Sequence, residues 1–230
     1  MTQKKWLLVL AHPDDESFIC GGILAKYAKL GVDIHLVCAT KGEMGRRVGN
    51  PPYVTRESMP RLRERELAEA CERLGIRQPI YLGLMDKTVE YEPVERLKMT
   101  ILQYLSEIQP EAVLTFHERL GGHPDHCAIG LAATAAYYEA KRSNTPPGLN
   151  GLFFITYGES MKDPTLYGIP REKRVAVDVS DSRREKLYAY RAHRCQTEID
   201  PWVWLPDEKA LEAMSRTEYL LRDDGELELS

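Results

Sequence analysis

No stretch of this sequence approaches the run of about 20 apolar residues that a membrane-spanning helix needs. The opening MTQKKWLLVLAHPDDE has neither the length nor the small-residue cleavage site of a signal peptide. No membrane partner is expected, and the expected location is cytoplasmic. Basic charge is not in excess either: 35 acidic residues stand against 31 basic ones, a net charge of −4, which argues against a nucleic acid as the partner. Cysteine is sparse and scattered. Cys20, Cys38, Cys71, Cys127 and Cys195 are odd in number and include no CxxC pair, so neither a disulfide framework nor a cysteine-rich zinc knuckle is indicated. Most are expected to be small buried hydrophobes. A G-x-G-x-x-G turn after the first apolar run and a GxxxxGK[ST] loop anywhere are both missing, which removes the phosphate cradle of a dinucleotide or nucleotide enzyme. There is no internal repeat and no low-complexity segment.

What is present is a regular alternation of strand-like and helix-like segments. Strands are expected at 5–11, 32–40, 79–84, 111–116, 151–157 and 174–179, with helices near 19–30, 60–74, 93–108, 126–141 and 181–194. A polar loop of 18 residues, KGEMGRRVGNPPYVTRES, follows the second strand. A chain of 230 residues buries a substantial core as one domain, 1–230. Residues 195–230 are expected to be a C-terminal appendage, packed as a hairpin or short helix near the site. Such β–α alternation implies an α/β fold: a Rossmann-like, doubly wound, mostly parallel sheet with helices on both faces. Sheets of this kind bind ligands beyond the carboxyl ends of their strands, where the strand order reverses.

The two most polar motifs fall after the first and fourth strands, which flank that crevice in the common order. They are AHPDDE, residues 11–16, and GGHPDH, residues 121–126. Three carboxylates and an imidazole crowded together repel unless water or a cation lies among them. His12 and Asp15, three residues apart on a first helical turn, can face one ion, and His126 can close the set from the neighbouring strand end. Two imidazoles and a carboxylate with open positions suit a catalytic metal, one Zn2+ per chain, with Fe2+ also compatible. Plainer readings exist for each residue. The acids could serve only as helix N-terminal charges, the second motif could be a solvated loop, and Gly121 and Gly122 could be simple turn formers. The pairing of the two motifs across the switch point favours the site. His35, within a strand, and His117, at a strand end, are expected to be structural.

The segments AHPDDE, ATKGEMG, RERELAEACERLG, GGHPDH and AHRCQTE, in that order, resemble the LmbE/PIG-L family of zinc-dependent N-deacetylases over nearly the whole chain. CATKGEMGRRVGNPPYVTRESMPRLR and LGLMDKTVEYE are most similar to the second-type deacetylases of bacillithiol biosynthesis. The resemblance implies His12, Asp15 and His126 as zinc ligands, Asp14 as general base, and His123 with Asp125 as the electrostatic partner of the developing oxyanion. It also implies substrate contacts at Glu43, Arg63 and Asp86, and at His193 of AHRCQ, where Cys195 replaces the family's serine. In this reading Asp125 raises the pKa of His123 and holds its ring, provided its carboxylate reaches the imidazole. Arg46 and Arg47, in the loop after the second strand, are expected to form a cationic rim for an anionic aglycone.

The resulting expectation is a hydrolase that removes an acetyl group from an N-acetylglucosaminyl compound, N-acetylglucosaminyl malate first among them, acting on this small anionic substrate as a homo-oligomer. Another N-acetyl glycoside, such as a chito-oligosaccharide or a mycothiol-like precursor, is the alternative substrate. A non-catalytic sugar-binding domain is the alternative of another class; its signature would be loss of Asp14 or of a ligand, and each of those positions is filled.

Overall fold

The computed structural model describes residues 3–46, 51–155 and 162–229. Its centre is a seven-stranded sheet in the order β3-β2-β1-β4-β5-β7-β6. The strands are β1 Lys5–Leu10, β2 Asp33–Thr40, β3 Ile80–Leu84, β4 Ala112–Phe116, β5 Gly151–Ile155, β6 Arg174–Asp178 and β7 Thr217–Gly225. β1 to β5 pair in parallel, whereas β7 runs antiparallel to both β5 and β6. Leu7, Leu8, Val9 and Leu10 of β1 are all fully buried, as expected of a strand covered on both faces, where an unbroken apolar run replaces alternation.

Helices cover the sheet: α1 Asp15–Lys29, α2 Met59–Leu74, α3 Val94–Ile108, α4 Pro124–Ser143, α5 Arg183–Ala192, the single turn α6 Arg194–Thr197, and α7 Asp207–Ala213. On α3 the buried residues Leu97, Ile101, Leu105 and Ile108 form one stripe at helical spacing. Helix α1 is kinked at Cys20, whose φ of −126° and ψ of 16° are not helical. The kink frees the amides of Gly22 and Ile23, and both donate to the buried carboxylate of Glu218 on β7, at 3.0 and 2.8 Å.

Two features differ from the sequence reading. α1 begins at Asp15 rather than near 19, so the acidic motif forms the first turn of the helix itself. The segment 217–225, assigned by sequence to the appendage, is instead a strand inside the sheet. Its polar end, Arg-Asp-Asp-Gly, hides that role, because the acids are satisfied by tertiary partners: Tyr138 donates to Asp223 at 2.6 Å, and Tyr137 and Lys141 donate to Asp224. The rest of the tail does form short helices, at 201–204 and 207–213.

The order of strands reverses between β1 and β4, which pair directly, so the loops leaving their carboxyl ends lie side by side. Gly130 brings α4 close enough to complete the junction: a Cβ there would lie 2.2 Å from the Phe116 carbonyl oxygen. This approach lets the His126 ring stack on Phe116 at a centroid distance of 3.9 Å.

Candidate active site

The chain leaves β1 through Ala11 and His12 and turns into α1 at Asp14. Asp15 folds back on this turn, its Oδ2 accepting the amides of Ala11 and His12 at 3.2 and 2.8 Å, while Oδ1 lies 3.2 Å from His126 Nε2. His12 Nδ1 is 3.0 Å from the same His126 nitrogen and 3.8 Å from Asp15 Oδ2. The other nitrogen of each ring is engaged. His126 Nδ1 donates to the Gly121 carbonyl at 2.7 Å, and His12 Nε2 lies against Asp125 Oδ2 at 3.1 Å and Asp86 Oδ1 at 3.2 Å.

That hydrogen bonding leaves two imidazole lone pairs facing each other, which requires a proton or a metal cation between them. The donor set fits a metal. Ligand atoms about 2.0–2.1 Å from a tetrahedral zinc stand about 3.3 Å apart; His126 Nε2 lies 3.0 Å from His12 Nδ1 and 3.2 Å from Asp15 Oδ1, while the oxygen of Asp15 nearest His12 is the other one, Oδ2, at 3.8 Å. His12, His123 and His126 form one group of potential ligands, and His12, Asp86 and Asp125 a second.

Electrostatics follow from this crowding. Burial opposes a charge on His12, but hydrogen bonds to Asp125 and Asp86 and the charge of Asp15 overcome it and push its pKa up to about 10. Burial likewise opposes ionisation of Asp15, and the facing His126 and His12 outweigh it, holding the carboxyl at about 2. Asp14 is different. Burial dominates and raises its carboxyl to about 6, against the opposing charge of Arg63. Its Oδ2 accepts from Arg63 Nη2 at 2.5 Å, and its φ of 112° is a left-handed conformation rare outside glycine, costing about 1–3 kcal/mol and held only where neighbours over-determine it. His12, Asp14, Asp15, His123 and His126 of the two motifs line an open cleft of about 470 Å³, together with Phe18, Arg46, Arg63, Asp86, Lys87, Gln196 and Asp200 among others.

A family model described as PIG-L, GlcNAc-PI de-N-acetylase, matches residues 7–137, the stretch that carries both motifs. This chain belongs to the PIG-L family. Among curated relatives, the "Probable N-acetyl-alpha-D-glucosaminyl L-malate deacetylase 2" of Bacillus subtilis is 36% identical over 192 residues, 84% of this chain and 83% of the relative. The "1D-myo-inositol 2-acetamido-2-deoxy-alpha-D-glucopyranoside deacetylase" of Mycobacteroides abscessus is 29% identical over 86% of this chain and 84% of its own. The fold matches the N,N'-diacetylchitobiose deacetylase from Pyrococcus horikoshii with a TM-score of 0.73, at 22% identity, over 96% of this chain and 84% of that one.

In this PIG-L family member several residues stand elsewhere than their sequence roles imply. The Asp125 carboxylate does not hold His123; it accepts from His12 Nε2 and from the amides of Lys87 and Val89, at 2.7 and 3.1 Å for the two amides. Those amides come from a turn in which Lys87 has a φ of 68°, and they draw the carboxylate inward. His123 is held by the backbone instead, its Nδ1 accepting the Asp125 amide at 3.1 Å as the N-cap of α4. Its pKa is lowered, by burial first and then by His12 and His126, not raised as expected.

Arg63 is only 3% exposed, and its guanidinium is committed to Asp14, Pro13 O and Gly42 O. It braces Asp14 more than it offers itself to an aglycone. Gly42, with φ 65°, passes so close above that guanidinium that a Cβ would collide with it. Asp86 is buried between His12 and the Met44 amide, which it accepts at 2.9 Å, and Glu43 Oε2 accepts the Asp86 amide at 3.1 Å. Both tie the loop after β2 to the loop after β3. Arg46 lies exposed on the cleft, and Arg47 lies outside the described residues. His193 is fully buried against Glu16 and does not line the cleft. The sequence reading missed Glu16, Lys87 and Gln196. All three stand inside the segments that carry the family resemblance, Glu16 in AHPDDE, Lys87 in LGLMDKTVEYE and Gln196 in AHRCQTE, but nothing local distinguishes them from their neighbours.

Proposed function

We propose that the protein is a zinc-dependent N-deacetylase that hydrolyses N-acetylglucosaminyl malate to glucosaminyl malate and acetate. The observation that carries this reading is the approach of His126 Nε2 to His12 Nδ1 and to Asp15 Oδ1, at 3.0 and 3.2 Å, beside a half-buried carboxyl on the cleft, Asp14, that is hydrogen-bonded to none of them. The first curated relative adds the substrate class. His12, Asp15 and His126 would hold Zn2+, which supplies a Lewis acid for the acetyl carbonyl and lowers the pKa of water towards about 7.

Asp14, ionised above about pH 6, accepts the proton of the attacking water as its oxygen bonds to the acetyl carbon. Arg63 fixes the carboxylate that does so. The carbonyl electrons move onto oxygen, where His123 can donate from Nε2, the nitrogen left protonated when Nδ1 accepts the Asp125 amide. The C–N bond then breaks, and Asp14 returns its proton to the departing amine. The exposed cationic groups Arg46 and Lys87 on the cleft suit a carboxylate-bearing aglycone.

Acetate release should be measured from N-acetylglucosaminyl malate, N-acetylglucosaminyl inositol, diacetylchitobiose and N-acetylglucosamine, before and after chelation and Zn2+ restoration. Chelator-sensitive turnover with the malate substrate leading supports the reading. Turnover unaffected by complete metal removal, or no release from any substrate, overturns it. Cytoplasmic location and homo-oligomeric assembly complete the proposal, to be tested by cell fractionation and light scattering.

A further inference from the structure

Glu16 and His193 are both fully buried, 177 residues apart in sequence, and joined by a 2.7 Å bond from His193 Nε2 to Glu16 Oε1. Neither belongs to the ligand groups or lines the cleft. Ser17 Oγ donates to the same oxygen at 2.5 Å. The other oxygen, Oε2, accepts the backbone amide of Asp14 at 3.0 Å. That amide belongs to the residue with the left-handed φ of 112°. Arg63 holds the side chain of Asp14 from the opposite part of the fold, and Glu16 therefore holds its backbone.

His193 sits at the junction of α5 and α6, where its carbonyl accepts from the amides of Gln196 and Thr197 and its ring meets the edge of Phe18. Among the described residues its one polar ring bond is to Glu16, and its buried Nδ1 has no partner. An unsatisfied buried nitrogen is unfavourable, so packing alone does not account for a histidine here. The bond to Glu16 does, because it adds to the short local bond from Ser17 a donor from a distant helix that holds the carboxylate against rotation away from the Asp14 amide.

We propose that Glu16 and His193 are a positioning pair that keeps Asp14 in its left-handed conformation and so aims the base at the cleft. The proposal rests on the reading of Asp14 as general base. Neither residue touches the substrate; both act through Asp14, by hydrogen bonding and not by proton transfer.

The test is a double-mutant cycle on the zinc-loaded enzyme with N-acetylglucosaminyl malate. His193→Leu should lower kcat at least about tenfold, with KM within about threefold and zinc content unchanged. His193→Gln, which keeps a donor for Glu16, should recover most of kcat. In an Asp14→Asn background, His193→Leu should cause little further loss, because the group it positions is already disabled. Should His193→Leu fail to fold, the near-isosteric Glu16→Gln, whose amide has only one acceptor oxygen, carries the same cycle. Equal losses in both backgrounds, or no rescue by His193→Gln, overturn the proposal while leaving Asp14 as the base. A normal kcat in Asp14→Asn itself overturns the base assignment and the proposal together.

Discussion

The same tripeptide, His-Pro-Asp, opens two helices in this protein, and the two copies do opposite things. At the start of α1, His12 turns its ring to His126, 3.0 Å away, and Asp14 is the N-cap in a left-handed conformation. At the start of α4, His123 is the N-cap, in an extended conformation with φ −142°, and Asp125 is buried in the helix. In the first copy the aspartate carboxyl opens to the cleft. In the second it turns inward and clamps His12 from behind. The difference lies in what surrounds each turn: Glu16 and Arg63 hold Asp14 outward, whereas the amides of Lys87 and Val89 draw Asp125 in. A short motif specifies a helix start and a set of chemical groups; its neighbours assign the roles.

The largest effect should come from the ligands. His12→Ala and His126→Ala are expected to lose tight zinc binding and all measurable turnover, since three protein ligands cannot spare one. Elemental analysis of the purified variants decides this, and full zinc content in both would return the histidines to a purely structural role. Asp14→Asn and Asp125→Asn then contrast the two copies directly. The first should keep its zinc and lose about 10²-fold or more in kcat. The second should weaken zinc affinity about 10–100-fold through His12, with a smaller loss of kcat at saturating zinc. If Asp125→Asn behaves like Asp14→Asn, the two copies are not functionally distinct.

The pH profile sharpens the same contrast. A base works in its ionised form, and burial raises the Asp14 carboxyl to about 6, so kcat/KM should fall as the pH drops through that region. A cation bound beside Asp14 moves this limb lower and never higher. A limb above pH 7 that persists in Asp14→Asn would assign the titration to another group. The smallest effect should be at the rim. N-acetylglucosaminyl malate should exceed N-acetylglucosamine in kcat/KM by about tenfold, about 1.4 kcal/mol, and Arg46→Ala should reduce this ratio, as should added salt. Arg63→Ala should instead lower kcat for both substrates alike, because Arg63 is bound to Asp14.

Much of the site was legible because its residues cluster in sequence. AHPDDE and GGHPDH each follow an apolar strand, and the parallel topology implied by β–α alternation brings two such strand ends together. His12, Asp14, Asp15, His123 and His126 accordingly all line one cleft. Legibility failed where a role depends on partners distant in the chain. Arg63 lines the cleft, where its motif puts it, and what the motif does not show is that its guanidinium also closes on Pro13 and Asp14. His193 reads as a late site residue, yet it sits beneath the site on Glu16.

By itself the sequence determined the class of fold, through the period of its apolar residues, and the inventory of imidazoles and carboxylates at two helix starts. Both are local properties, set by side-chain chemistry and by the alternation of buried and polar positions. Only the tertiary structure decided the place of β7 between β5 and β6, the inward turn of Asp125, and the bracing of Asp14 by Arg63 and Glu16. Each of those depends on satisfying a buried charge or amide, and such groups take whichever partner the packed chain brings within about 3 Å, at any separation along the sequence.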